Sequence, residues 1–170
     1  MVPVIAPQFD LNECNSLRER EFVEAIHARA ETGGWYADSW PHDDRIVLSL
    51  SPCDRDPAYN FVLRTLRVDF DGTAVWFGPD ETHQFATDLD PARPGVNVLY
   101  ERPVGELAAA AADWLEREMR RPIVRQEWDR PDGHGVPPRL WVLVDTGEVI
   151  VAQGMHSPDM GPPDRVVAVG

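Results

Sequence analysis

The sequence predicts an α+β fold in which an antiparallel sheet of about six strands carries two main helices on one face. Two segments have apolar residues at helical spacing, and runs rich in β-forming residues lie in groups after each of them. Dipeptides ending in glycine separate neighbouring runs, as in hairpins. The predicted element order is αβββ(β)αβββ, which has too few crossovers for a doubly wound parallel sheet.

The first helix is predicted at about residues 16–32. Ser16 and Glu19 form a Ser-x-x-Glu capping box, in which each side chain satisfies an unpaired backbone amide at the helix start. Gly33-Gly34 supplies the left-handed stop. The apolar residues recur three or four positions apart and predict one buried stripe, which consists of Phe22, Val23, Ile26 and Ala30.

The first group of strands follows a segment, residues 35–44, whose composition is typical of a turn. Asp71-Gly72 predicts a type I′ hairpin, because both central residues of that turn need a positive φ. Residues 79–94 are polar and acidic, and they are predicted to form a long loop. The strands of this group are predicted at residues 45–51, 61–70, 73–77 and 96–100.

The second helix is predicted from Pro103 to Arg121, because proline is tolerated at a helix start and five consecutive alanines follow. Thr146-Gly147 predicts a second hairpin turn. The strands of this group are predicted at residues 123–128, 140–144, 149–152 and 165–169. The similar order of the two groups suggests a degenerate duplication, although any two hairpins with an x-Gly turn look alike.

The chain length and the net charge limit the number of domains and the classes of partner that we expect. The 170 residues are expected to form a single domain, with residues 1–13 as coil or a weakly ordered arm. The net charge is −13, which makes binding to nucleic acid or to an anionic membrane surface unlikely and favours a basic protein partner. Oligomeric state is left open.

All 16 basic residues are arginine, so mechanisms that need a lysine, such as a P-loop or a Schiff base, are excluded in their usual form. The arginine, alanine and proline content is typical of GC-rich codons and suggests a bacterial source. Cys14 and Cys53 match no redox or zinc spacing. The N-terminal residues have no signal-peptide pattern, so we expect a cytoplasmic protein. Neither a cofactor nor a metal site is expected, since no known ligand spacing occurs.

Two features point to partner binding. Residues 69–90 hold six acidic residues and no arginine, and a shared face would steer a cationic partner towards it. The alternative is a solvated loop. Three aromatic residues also lie in a predicted loop, where aromatics are typical of interface hot spots. The predicted partner-binding residues are Asp80, Glu81, Asp88, Asp90, Trp35, Tyr36 and Trp40.

The leading hypothesis is therefore a small acidic interaction module, comparable in size and acidity to the immunity and antitoxin-like inhibitors of basic toxins. Whether the chain is an enzyme stays open. The alternative hypothesis is a small α+β enzyme or a ligand-binding protein with its pocket on the sheet face or among histidine-bearing loops. The loop histidines of that alternative are His83, His134 and His156, which would otherwise be ordinary surface residues.

Overall fold

A computed structural model describes residues 11–59, 62–80, 87–129 and 135–169 of the chain. It confirms the α+β fold, with two helices and antiparallel strands. The strand count differs, because the described residues form nine strands in two sheets instead of about six in one. The chain divides into two compact units: residues 1–51 and 64–118 form the first, and residues 52–63 and 119–170 form the second.

The first unit contains both helices and a sheet of five antiparallel strands in the order β1-β2-β3-β4-β5. Each strand pairs with its neighbour in sequence, so the sheet is a meander. The elements are α1 (Leu17–Gly33), β1 (Asp38–His42), β2 (Arg45–Leu50), β3 (Leu66–Phe70), β4 (Ala74–Pro79), β5 (Asn97–Tyr100) and α2 (Val104–Met119).

The caps of α1 follow the predicted chemistry. The Ser16 hydroxyl accepts from the backbone N–H of Glu19 at 3.1 Å, and Gly34 takes the left-handed conformation with φ 67°. The Glu19 carboxylate accepts from the backbone N–H of Asn15, one residue before the position that a standard capping box would use. Local sequence is therefore sufficient to set both ends of this helix.

Two local predictions were wrong. Residues 35–44 are not all turn, because β1 lies within them and pairs with β2, with Trp40 opposite Val47. Asp43 allows the tight reversal between these strands by taking a φ of 51°, a region that aspartate enters more readily than most residues. The hairpin at Asp71-Gly72 is present but is not type I′, since only Gly72 has a positive φ there, 91°.

Both helices pack on the same face of the five-stranded sheet. Antiparallel register places Phe70 and Phe77 on one face, because Phe70 pairs with Val75 and Val68 pairs with Phe77. The ring of Phe22 in α1 stacks on Phe70 at 4.2 Å, and Trp114 in α2 lies 5.5 Å from Phe77. The main core of the first unit therefore lies between this face and the helices.

The second unit is built on a four-stranded antiparallel sheet in the order β8-β7-β6-β9. Its strands are β6 (Ile123–Glu127), β7 (Arg139–Leu143), β8 (Val149–Gln153) and β9 (Arg165–Val169). Leu63, Ile123, Trp141 and Leu143 form its buried core. The four predicted strands of this half are thus confirmed.

The duplication hypothesis finds no support in the arrangement of the units. The helix of the second half, α2, belongs to the first unit, and the two sheets differ in strand number and order. Within the predicted N-terminal arm, Leu11–Glu13 forms one turn of 3₁₀ helix, and residues 1–10 lie outside the described part. Neither α1 nor α2 is long and apolar enough to cross a bilayer. That the whole chain is a single domain stays a prediction.

Candidate functional site

The candidate site lies on the face of the five-stranded sheet opposite the helices, which we call the polar face. Strand register defines it, since side chains alternate between faces along each strand. Trp40, Val47, Asp69 and Trp76 are consecutive partners across four strands, and Ser49 pairs with Arg67 in the adjacent row. Arg45, paired with His42, completes this face at one end.

A buried ion pair occupies the middle of the polar face. The Nε and one terminal nitrogen of Arg67 donate to the two carboxylate oxygens of Asp69, at 2.7 and 2.8 Å. Arg67 also donates to Asp80 at 3.3 Å and to the backbone carbonyl of Thr87 at 2.8 Å. Arg67, Asp69 and Asp80 are all buried, and the bond from Arg67 holds the Thr87 backbone against the sheet.

Arg45 connects this buried pair to the surface. Its Nε lies 3.5 Å from a carboxylate oxygen of Asp69 but makes no hydrogen bond among the described residues, and a terminal nitrogen pairs with Asp88. The side chain of Asp88 is 78% exposed. Around Arg45 runs an open groove lined by Asp43, Asp44, Arg45, Thr87 and Asp88.

The groove is electronegative. The side chain of Asp43 is 81% exposed, and Asp44 beside it is also exposed, so both carboxylates face water. Arg45 offsets only one of the three lining carboxylates. Burial raises the pKa of Asp69 despite the hydrogen bonds and positive charge of Arg67.

Negative charge is concentrated in the first unit. Residues 1–51 and 64–118 contain nine arginines and 20 acidic residues, a net charge of −11. Residues 52–63 and 119–170 contain seven arginines and nine acidic residues, a net charge of −2. The field that would attract a cation therefore originates mainly from the unit that bears the groove.

The predicted acidic residues occupy different settings. Asp88 lines the groove, whereas Asp80 is buried against Arg67 and is not an exposed carboxylate. Asp90 is exposed, and its carboxylate accepts from the backbone N–H of Ala92 in a turn. Glu81 lies outside the described residues. Among the described members of this set, only Asp88 lines the groove.

The three predicted aromatic residues also lie in different surroundings. Trp40 lies in β1 on the polar face, in the same row as Asp69. Trp35 is partly buried and donates its indole N–H to Glu116 of α2 at 3.2 Å. Tyr36 is exposed. Trp40 is therefore the member of this set that shares a face with the groove.

The histidines of the alternative hypothesis are only partly placed. His83 and His134 lie outside the described residues, and His156 is exposed in the second unit, 4.6 Å from the ring of Trp128. His27, which the sequence did not single out, lies 3.4 Å from the Ser39 hydroxyl, and burial lowers its pKa. Across the described ranges, no group of histidine, cysteine and acidic residues could hold a metal ion.

The second unit contains a larger buried ionic cluster, which we call the Arg125 cluster. Arg125 donates to Glu127 and to Asp54 at 2.6 Å each and to Asp56 at 2.9 Å. Its guanidinium also lies 4.1 Å from the ring centre of Tyr59. The indole N–H of Trp141 donates to Asp54 at 2.7 Å. This cluster ties the segment around Asp54 to the sheet.

The pKa shifts in the Arg125 cluster show a satisfied structural network. Burial alone would raise the pKa of Asp54, but hydrogen bonds from Trp141, the Asp56 backbone and Arg125 lower it overall. For Glu127, the opposing effects of burial and of Arg125 likewise leave the pKa lowered. Both carboxylates are therefore stable as anions and engaged with arginine, which leaves them poorly suited to proton transfer.

Sequence reasoning missed both buried pairs, although they share one signal. In each, an arginine and an acidic residue stand two positions apart in one strand: Arg67 with Asp69, and Arg125 with Glu127. Side chains two apart on a strand share a face, so this spacing allows the two charges to meet in a buried layer.

Comparison of the chain with protein-family models, with curated proteins and with solved structures found no match.

Proposed function

We propose that the first unit binds a basic protein, with the groove around Arg45 and the neighbouring polar face receiving an arginine or lysine of that partner. The chain would act as an inhibitor by occupying the partner's basic surface, in the manner of small immunity and antitoxin proteins, and would do so in the cytoplasm. The observation that carries the proposal is that the exposed carboxylates Asp43 and Asp88 line one groove with Asp44 and a single arginine.

The buried part of the polar face supports the proposal because it anchors the backbone beside Asp88. The Arg67–Asp69 pair holds the Thr87 carbonyl, and Thr87 precedes Asp88 in the chain. A carboxylate held in place beforehand loses little conformational entropy when a cation binds. The groove would thus be largely formed before the partner arrives.

Arg45 would set the specificity of the groove. It shields Asp69 and pairs with Asp88, so an incoming cation must share or displace that exposed ion pair. Because the Asp88 side chain is 78% exposed, water already screens this pair, so the exchange costs little. Trp40, on the same face, would add an aromatic surface on which the aliphatic stem or the guanidinium of an arginine can pack.

An oligo-arginine peptide is a suitable probe, with a neutral peptide of equal length as control. The test compares the wild-type chain with the double variant Asp43→Asn/Asp88→Asn. If each carboxylate contributes about 0.5 kcal/mol, the double variant should bind about fivefold more weakly.

The matched control is Glu24→Gln/Glu106→Gln, which removes two exposed charges of the same unit from the helices. It should weaken binding much less. Equal losses in the two double variants would show that only net charge matters and would contradict a site at the groove. Binding of the neutral peptide with the same affinity would contradict the electrostatic basis.

A further inference from the structure

The second unit carries an edge strand that lacks most of the usual protection against pairing. Edge strands normally avoid further pairing through proline, charge, bulges or short length. In the described residues, β1 contains Pro41 and an exposed Asp38, β5 has four residues, and the pairing of β8 shifts register opposite Trp141 and Val142. The fourth edge, β9, has the sequence RVVAV, with neither a proline nor a register shift in its pairing, and its only charged residue is Arg165 at the first position.

The side chains of β9 are accessible on both faces of the sheet. Residues 165–168 are exposed, and Val169 is partly so. The order β8-β7-β6-β9 ends at this strand, which pairs with β6 alone among the described strands. Among the described residues, no strand therefore pairs with the outer row of its backbone N–H and C=O groups.

We propose that β9 pairs in antiparallel fashion with β9 of a second copy of this chain, across a twofold axis at Val167. In this register Val167 faces its own counterpart, Val166 faces Ala168, and Arg165 faces Val169. No like charges meet directly. The guanidinium of Arg165 is also compensated within its own chain, by Glu127 at 3.1 Å and Asp129 at 3.2 Å. The two four-stranded sheets would then form one continuous sheet with an isologous interface.

Charge distribution favours a second copy at this edge over association through the first unit. Two chains of net charge −13 repel each other, but only −2 of that charge resides in the second unit. A chain with this asymmetry can associate with itself most readily through the second unit.

The interface area sets the expected strength. Five paired residues span only about 17 Å. Such a contact buries less than the roughly 1,600 Å² of a standard stable interface. The dimer should therefore be reversible, and its population should depend on protein concentration.

The experiment is sedimentation velocity over a wide range of protein concentration. We expect the mean mass to rise from 19.1 kDa towards twice that value. Val167→Lys should abolish the rise, because two lysines would face each other across the twofold axis. The matched control is Val149→Lys on the other edge strand, β8, where the valine is 49% exposed compared with 36% for Val167. This control should dimerise like the wild type.

A charge-swap mixture tests the register directly. Val167→Lys and Val167→Glu should each be monomeric alone and form a heterodimer when mixed, as read by native mass spectrometry. A wild-type mass of 19.1 kDa at every concentration would overturn the proposal. So would a dimer that Val149→Lys disrupts equally, or a mixture of the two Val167 variants that stays monomeric. Circular dichroism of each variant checks that it is folded.

Discussion

Replacing Arg125 with methionine tests how strongly the Arg125 cluster holds residues 52–63 to the rest of the second unit. Arg125 is the shared partner of three carboxylates, at 2.6 Å from Asp54 and Glu127 and at 2.9 Å from Asp56. Methionine approximates the aliphatic stem of arginine but removes every donor. The substitution therefore leaves the packing nearly intact and deprives the carboxylates of their counter-charge.

The size of the destabilisation depends on how many of the three carboxylates water can reach once the arginine is removed. Asp56 is partly exposed and can be hydrated, but the side chains of Asp54 and Glu127 are only 3% and 7% exposed. Removing one partner of a buried ion pair typically costs about 3–5 kcal/mol. In the variant, Trp141 can still donate a hydrogen bond to Asp54, and Arg165 can still donate one to Glu127. These remaining bonds limit the loss of stability. We expect Arg125→Met to lower the free energy of unfolding by about 4 kcal/mol.

Urea denaturation, followed by circular dichroism and tryptophan fluorescence, measures this loss. The control is Arg121→Met, because Arg121 pairs at 2.8 Å with the exposed Asp145, and water screens such a pair so that its loss should cost far less. The deficit of Arg125→Met should also shrink as pH falls, since buried carboxylates without a counter-charge have raised pKa values and become neutral. A loss equal to that of Arg121→Met, unchanged by pH, would refute the reasoning.

The remaining predictions concern acid, tryptophan and metal. The free energy of unfolding should fall as pH drops below about 4.5, because the folded-state pKa values of Asp54 and Glu127 lie below the ordinary values of 3.8 and 4.5. A carboxylate with a lowered pKa in the folded state contributes its full stabilisation at pH values above its pKa in the unfolded state. That stabilisation is lost as the pH falls through its pKa in the folded state. In urea melts at a series of pH values, the free energy of unfolding of Asp54→Asn should therefore fall less steeply in acid than that of the wild type. An equal pH dependence of the two proteins would contradict this. Trp141→Ala should cost about 3–5 kcal/mol in the same assay, because its side chain is fully buried. Trp35→Ala should cost clearly less, since Trp35 is only partly buried and loses one hydrogen bond, to Glu116; equal costs would disprove the distinction. Dialysis against a chelator should leave the melting temperature unchanged, and a drop that one divalent ion restores would reveal a metal site.

Local features of the fold could be predicted because their causes lie within a few residues. The Ser16 cap, the Gly34 stop and the reversal at Gly72 each depend on chemistry that neighbouring residues supply. The division into two sheets could not be predicted in this way. It requires β6 to pair with β9, about 40 positions away, and no local pattern encodes that pairing.

The candidate site was predicted only in part, because sequence cannot distinguish an exposed carboxylate from one buried against arginine. Asp80 and Asp88 come from the same acidic stretch, yet Asp80 is buried beside Arg67 and Asp88 is exposed in the groove. Arg67 lies 13 positions before Asp80, and only the hairpin between β3 and β4 brings the two together. Asp43 was not among the predicted partner-binding residues, and the strand that brings it to the groove, β1, was predicted as a turn.

The salt dependence of association tests the proposed function most directly. The measurement is the association rate constant of the oligo-arginine peptide, determined by stopped flow at low and at physiological ionic strength. At physiological ionic strength the Debye length is about 8 Å, so charges farther apart than this are largely screened. For the wild type the rate constant should decrease steeply with salt, while dissociation changes less. The Asp43→Asn/Asp88→Asn variant should show a shallower decrease than Glu24→Gln/Glu106→Gln. Identical salt slopes in both variants and in the wild type would contradict a basic-partner site at the groove.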